Sequence, residues 1–218
     1  MTKIQETFNQ KLLVEGKDDQ HVIWALCQQF NIKESFDVID CGGVANLLEQ
    51  IPQRLKQSGI ESLGIIVDAD IDLNARWQSI KNLLTVHQFE IPDQLPEEGL
   101  ICQNADGITF GVWVMPNNKV NGMLEDFIAF LVPESDPLLP IAADVLNDIE
   151  SRNLQKYSRN YKAKAQIHTW LAWQEEPGTP LGQSITKRYL STDTETCLRL
   201  INWLKGLFPS PHILNTLH

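Results

Sequence analysis

Over residues 10–89 short apolar runs alternate with longer stretches of helical spacing. "QKLLVEG" at 10–16 is a continuous apolar run closed by Gly16 and predicts a buried strand. "DDQHVIWALCQQF" at 18–30 places Val22, Ile23, Leu26, Cys27 and Phe30 on one helical face behind an acidic first turn. "FDVIDCGG" at 36–43 is a second strand ending in a Gly-Gly turn, and "VANLLEQIPQRLKQSG" at 44–59 a second helix stopped by Gly59. Pro52 inside it predicts a kink or a break. "SLGIIVDADID" at 62–72 is the third strand and "NARWQSIKNLLTVHQF" at 74–89 the third helix. Strands that alternate with helices and are apolar throughout call for a parallel sheet covered on both faces.

Residues 91–107 are more polar, and the Asp-Gly pair at 106–107 predicts a hairpin between "LICQ" and "ITFGVWVM", the latter joining the sheet as its fourth strand. A loop at 116–122 leads to a short helix at 123–132, stopped by Pro133. Helical spacing returns at 140–158, 162–174 and 194–208, with a Pro/Gly loop at 175–182. The expected organisation is an α/β domain over 1–133, a mainly parallel four-stranded Rossmann-like sheet flanked by helices, with a helical C-terminal extension over 134–218 packed on it or merged with it. Trp170, Trp173 and Trp203 are expected in the core of the extension.

The chain has 218 residues, 43% hydrophobic and 21% charged, within the range of a soluble globular protein. No run is apolar enough to span a membrane, and "MTKIQETFNQ" lacks the apolar segment of a signal peptide, so a cytoplasmic location is expected. Cys27, Cys41, Cys102 and Cys197 show no metal spacing and read as reduced thiols. His21, His87, His168 and His212 show none either.

The net charge of −10 argues against a polyanionic partner, but its distribution changes that picture. Residues 1–150 carry −15 and residues 151–218 carry +5. An acidic, metal-binding part beside a basic part is one reading; a basic face that complements an acidic body is the plainer alternative.

Ligands of open parallel sheets sit beyond the carboxyl ends of the strands. There the first strand presents Glu15, with Asp18 and Asp19 opening the next helix. The third strand presents Asp68 and Asp70, expected on one face by the two-residue period, followed by Asp72. Carboxylates gathered at one sheet edge repel, and a divalent cation offsets the repulsion. Mg²⁺ suits such hard oxygen donors and keeps waters through which a phosphate can be held, the layout of metal-assisted phosphoryl transfer. "CGGVANL" offers backbone amides to a phosphate, although a tight strand-to-helix turn explains its glycines equally well.

"LLVEGKDD" followed by "GIIVDADID" resembles the Toprim domain of topoisomerases, bacterial primases, recombination-repair proteins and the overcoming-lysogenization-defect nucleases. The Glu-Gly-x-x-Asp element matches Glu15, Gly16 and Asp19; the Asp-x-Asp element matches Asp68 and Asp70, with Asp72 at a frequent third acid. The resemblance covers residues 10–132, and the segments "VMPNN…GMLEDF" and "TWLAWQEEPGTPLGQSITKRYL" resemble a family of small stand-alone bacterial Toprim-like proteins.

The resemblance implies a Toprim-like fold, Glu15 as general acid or base, and Mg²⁺, with Mn²⁺ as substitute, held by Glu15, Asp68 and Asp70 with Asp19 and Asp72. Glu125 and Asp126 complete a second metal site or simply form an acidic helix start. Tyr157, Tyr161 and Tyr189 lie in no winged-helix context, and no GxxxxGK[ST] is present, so topoisomerase and primase do not fit. What remains is a Mg²⁺-dependent nuclease acting on DNA or RNA in repair or phage defence. The alternative is a non-catalytic Toprim-fold binding or scaffold protein that needs a protein partner. Lys162, Lys164, Lys187 and Arg188, near Arg159 and the tyrosines, are the candidate nucleic-acid contacts. A haloacid-dehalogenase-type phosphohydrolase, with Asp68 as nucleophile, is a minor alternative that leaves Glu15 without a role. The sequence leaves the oligomeric state open, with a dimer compatible.

Overall fold

The computed structural model of the chain describes residues 6–209, so His212 and the first five residues of the polar N-terminus lie outside the described residues. The elements run β1 (Gln10–Val14), α1 (Lys17–Gln29), β2 (Asp37–Asp40), α2 (Val44–Leu55), β3 (Ser62–Asp68), α3 (Leu73–Val86), β4 (Leu100–Gln103), β5 (Thr109–Met115), α4 (Leu124–Leu131), α5 (Leu138–Ser151), α6 (Lys162–Ala172), α7 (Leu181–Thr186) and α8 (Glu195–Leu207). The sheet order is β2-β1-β3-β5-β4. β1, β2, β3 and β5 are parallel and β4 is antiparallel to β5. This is a Rossmann-like α/β architecture. The expected hairpin forms, turned by Gly107 at φ +82° and by Asn104 Oδ1, which accepts from Asp106 N and Ile108 N. It adds two strands rather than one, giving five instead of four.

Strand alternation sends Leu63, Ile65 and Val67 into the layer under α2 and α3. Ile66, Leu12, Val14, Trp113 and Met115 face the other side with α1 and α4. That second cluster also holds Ile167, Trp170, Leu181, Ile185, Leu200, Trp203 and Leu207, so one hydrophobic core runs from the sheet into the C-terminal helices. Trp173 departs from expectation: it is 40% exposed at the end of α6, whereas Trp170 and Trp203 are buried.

α8 reaches the sheet at Gly64 and Gly111, which face each other in the β3–β5 register. A Cβ added at Gly111 would lie 2.4 Å from Leu207 Cδ2 and 3.0 Å from Trp203 Cζ2. Gly111→Ala is therefore expected to cost roughly 1–2 kcal/mol of stability, measured by denaturant unfolding, because the contact sits in an already filled core.

Four boundaries differ from the sequence pattern. β3 stops at Asp68, because Asp70 adopts φ +53° and bridges to Gly122 outside the strand. Asp68 and Asp70 consequently do not share one strand face. α2 runs through Pro52 for one further turn and ends at Leu55, short of Gly59. The helix expected over 140–158 ends at Ser151, with Asn153 at φ +53°. α7 lies where the pattern gave a loop up to 182 and nothing beyond; Gly182 allows its close approach to α1, since a Cβ there would sit 2.6 Å from His21 O.

Candidate functional site

The carboxyl ends of β1, β2 and β3 open on a cavity of about 510 Å³. Its walls include Glu15, Asp18, Asp19, Asp40, Asp68 and Glu125 against two cations, Lys17 and Lys164. Parallel pairing of β1 with β3 is what aligns these acids, since Val14 stands opposite Ile66 and both chains leave the sheet at the same edge.

Backbone amides hold the acids in place. Asp68 N donates to Glu15 Oε1 at 2.8 Å, joining residues 53 positions apart. Leu124 N, at the start of α4, donates to Asp68 Oδ1 at 3.0 Å. Asp19 Oδ2 accepts from Gly16 N at 3.1 Å and caps α1. Glu15 and Asp68 each use one carboxylate oxygen in these bonds. Glu125 is only 3% exposed and pairs with Lys164 Nζ at 2.9 Å. Asp40 Oδ1 accepts from Gly42 N at 2.9 Å, and Gly42 and Gly43, both at positive φ, lead into α2.

Burial and mutual repulsion disturb the titration of the cluster. Burial, followed by the charges of Asp19, Glu15, Glu125 and Asp70, pushes Asp68 up to about 9. Burial and the Glu15 charge push Asp19 up to about 7. Glu15 is raised by burial, which outweighs the Asp68 N–H bond and the Arg76 guanidinium. Burial pulls Lys164 down, but the bond and charge of Glu125 prevail and hold its ammonium above the ordinary range. Carboxyls this perturbed hold either protons or a cation at neutral pH.

The remaining candidates sit elsewhere. Asp70 lines a neighbouring depression and gives its carboxylate to Arg76 at 2.7 Å, while Arg76 Nε donates to Asp68 O at 2.8 Å. Asp72 caps α3, accepting from Ala75 N at 2.9 Å. Asp126 turns back to Met123 N at 2.8 Å as the cap of α4. Lys162 pairs with Glu150 at 2.7 Å, and Lys187 pairs with Glu176. Arg188 is exposed just past α7. Of the four basic candidates only Lys164 reaches the cavity. Sequence reasoning missed Asp40, although the strand-end rule that selected Glu15 applies equally to the last residue of β2. It also missed Arg76, for which no local signal exists.

Among the described residues no group of three or more His, Cys, Asp and Glu side chains forms a ready metal cage. The cavity's donors are hard oxygens alone, supplied by at least two independent strand ends. That set fits an ion such as Mg²⁺, which takes one or two direct carboxylates and keeps its waters, and does not fit Zn²⁺, which favours nitrogen and sulfur ligands. The described residues contain no helix long and apolar enough to cross a membrane.

No curated protein and no solved structure matches the chain. A family model matches residues 9–209, nearly the whole described chain, and the chain belongs to that family, described as "Protein of unknown function (DUF3226)".

Proposed function

We propose that the chain is a Mg²⁺-dependent phosphodiesterase of the Toprim kind, acting on DNA or RNA. The observation that carries this reading is the hydrogen bond from Asp68 N to Glu15 Oε1, at the mouth of a cavity walled by further acids and two lysines, Lys17 and Lys164. Glu15, Asp68 and Asp19 would hold the ion, with Asp40 and Glu125 close by; when bound, it neutralises phosphate oxygens and the developing charge of the reaction. The carboxyl of Glu15, raised by burial, is suited to take a proton from the attacking water or return one to the leaving oxygen. Lys164 brings positive charge to the same mouth and can face a phosphate oxygen.

The test is incubation of purified protein with supercoiled plasmid, single-stranded DNA and RNA, in Mg²⁺ or Mn²⁺ and in EDTA. Cleavage of at least one substrate in metal and its loss in EDTA are expected; cleavage unaffected by EDTA contradicts the proposal.

A second reading keeps the site without catalysis, in a binding or scaffold protein completed by a partner. It is favoured by the ion pairs that tie up Lys162 and Lys187, two of the four basic groups expected to contact nucleic acid. A chain that takes up Mg²⁺ yet cuts no substrate supports it.

A further inference from the structure

We propose that Lys164 is a built-in counter-cation, which a divalent cation displaces from Glu125 and which then becomes available to the anionic ligand. This rests on the metal-site reading above and assigns the site a mode of control.

Glu125 lies in the first turn of α4 with almost no exposure. An ionised carboxylate so placed is costly unless it is paired. Among the described residues its ion-pair partner is Lys164, which comes from α6, outside the sheet's own crossovers. The two ends of the pair differ in freedom. The Glu125 side chain is 4% exposed, whereas that of Lys164 is 46% exposed. The lysine stem can therefore swing its head into water while the carboxylate stays put. Its anchorage is also separate: Ile167, Trp170 and Leu171 of the same helix are buried in the core and hold α6 whatever Lys164 does. The acid cluster thus already contains one positive head group, covalently tethered, at a carboxylate that lines the cavity.

Two cations beside one carboxylate repel each other, so an ion held by Glu15, Asp68 and Asp19 next to Glu125 weakens the hold on Lys164. By linkage the effect is reciprocal: Lys164 weakens the hold on the ion. An anion that draws Lys164 outward removes this competition, so ion and anion should bind cooperatively although they need not touch.

The experiment uses the full chain with Lys164→Met, with Lys164→Gln should the first variant fold poorly. Mn²⁺ affinity is measured by titration calorimetry, and binding of a cleavage-resistant phosphorothioate single strand by fluorescence anisotropy with and without Mn²⁺. Wild type should bind Mn²⁺, and Lys164→Met should bind it about tenfold more tightly, despite melting at lower temperature in EDTA because Glu125 is left unpaired. Mn²⁺ should strengthen oligonucleotide binding more in wild type than in the variant. A Glu125→Gln/Lys164→Met double variant should recover the EDTA melting temperature and lose the gain in Mn²⁺ affinity. Equal or weaker Mn²⁺ binding by Lys164→Met, with wild type binding the ion normally, overturns this inference alone. Absence of Mn²⁺ uptake by both proteins overturns the metal-site reading with it.

Discussion

A Glu15→Gln protein is expected to fold as the wild type does and to lose about 10²–10⁴-fold of metal-dependent cleavage, the range attributed to a positioned general acid or base. The substitution keeps shape and volume. It also keeps an oxygen to accept the 2.8 Å bond from Asp68 N, so the register between the ends of β1 and β3 survives. What it removes is the carboxyl proposed to transfer the proton, and one negative charge from the cavity. Burial already disfavours that charge, so metal-free stability should hold or rise slightly. Circular dichroism and melting establish the fold, and single-turnover cleavage measures the loss. A variant that cuts within threefold of wild type removes Glu15 from the reaction.

The second large effect is an inversion of stability. Asp68 carries a folded-state value near 9, against an unfolded value of about 3.9. Between these values the folded protein holds a proton that the unfolded chain has released. Stability of the metal-free protein therefore falls as pH rises through this window, and it is greatest below it. Asp19, raised to about 7, adds a slope of the same sign that ends near neutrality. Asp68→Asn cannot ionise and keeps an oxygen for the bond from Leu124 N. In EDTA at pH 8 it should be more stable than wild type by about 2 kcal/mol, since a tenfold change in proton affinity is worth about 1.4 kcal/mol and the neighbouring acids share the strain. For a chain of this length that is roughly 4–8 °C in melting temperature. Saturating Mg²⁺ should close the gap, stabilising wild type by about 2.7 kcal/mol at a hundredfold excess over Kd and leaving the variant nearly unchanged. An Asp68→Asn protein that melts below wild type in EDTA contradicts this reading of the cluster.

The stability inversion and the catalytic loss concern residues that the sequence alone singles out, because both follow apolar runs. Parallel strands are buried on both faces, so their ends stand out as the first charges after a hydrophobic stretch, and Glu15, Asp68 and Asp40 share that signature. The fate of Asp70 is not legible in the same way. Its positive φ depends on Gly122 and its charge on Arg76, so a spacing of two residues gives no warning that the strand has ended. Asp72, Asp126 and Asp19 all accept from backbone amides at the starts of α3, α4 and α1, and of the three only Asp19 also lines the cavity. Helix starts and metal sites draw on the same residue types, and only the fold separates them. α7 escapes notice because six residues are too few to display a period. Lys164 is visible as a charge in a basic segment, but its meeting with Glu125 is set by the packing of α6 against α4.

The most direct measurement is an anomalous difference map from crystals grown or soaked in Mn²⁺. A peak within coordination distance of Glu15 and Asp68, lost in Asp68→Asn crystals, is the predicted result. Well-diffracting crystals held in millimolar Mn²⁺ that show no peak in this cavity would contradict the claim that these strand ends form a cation site.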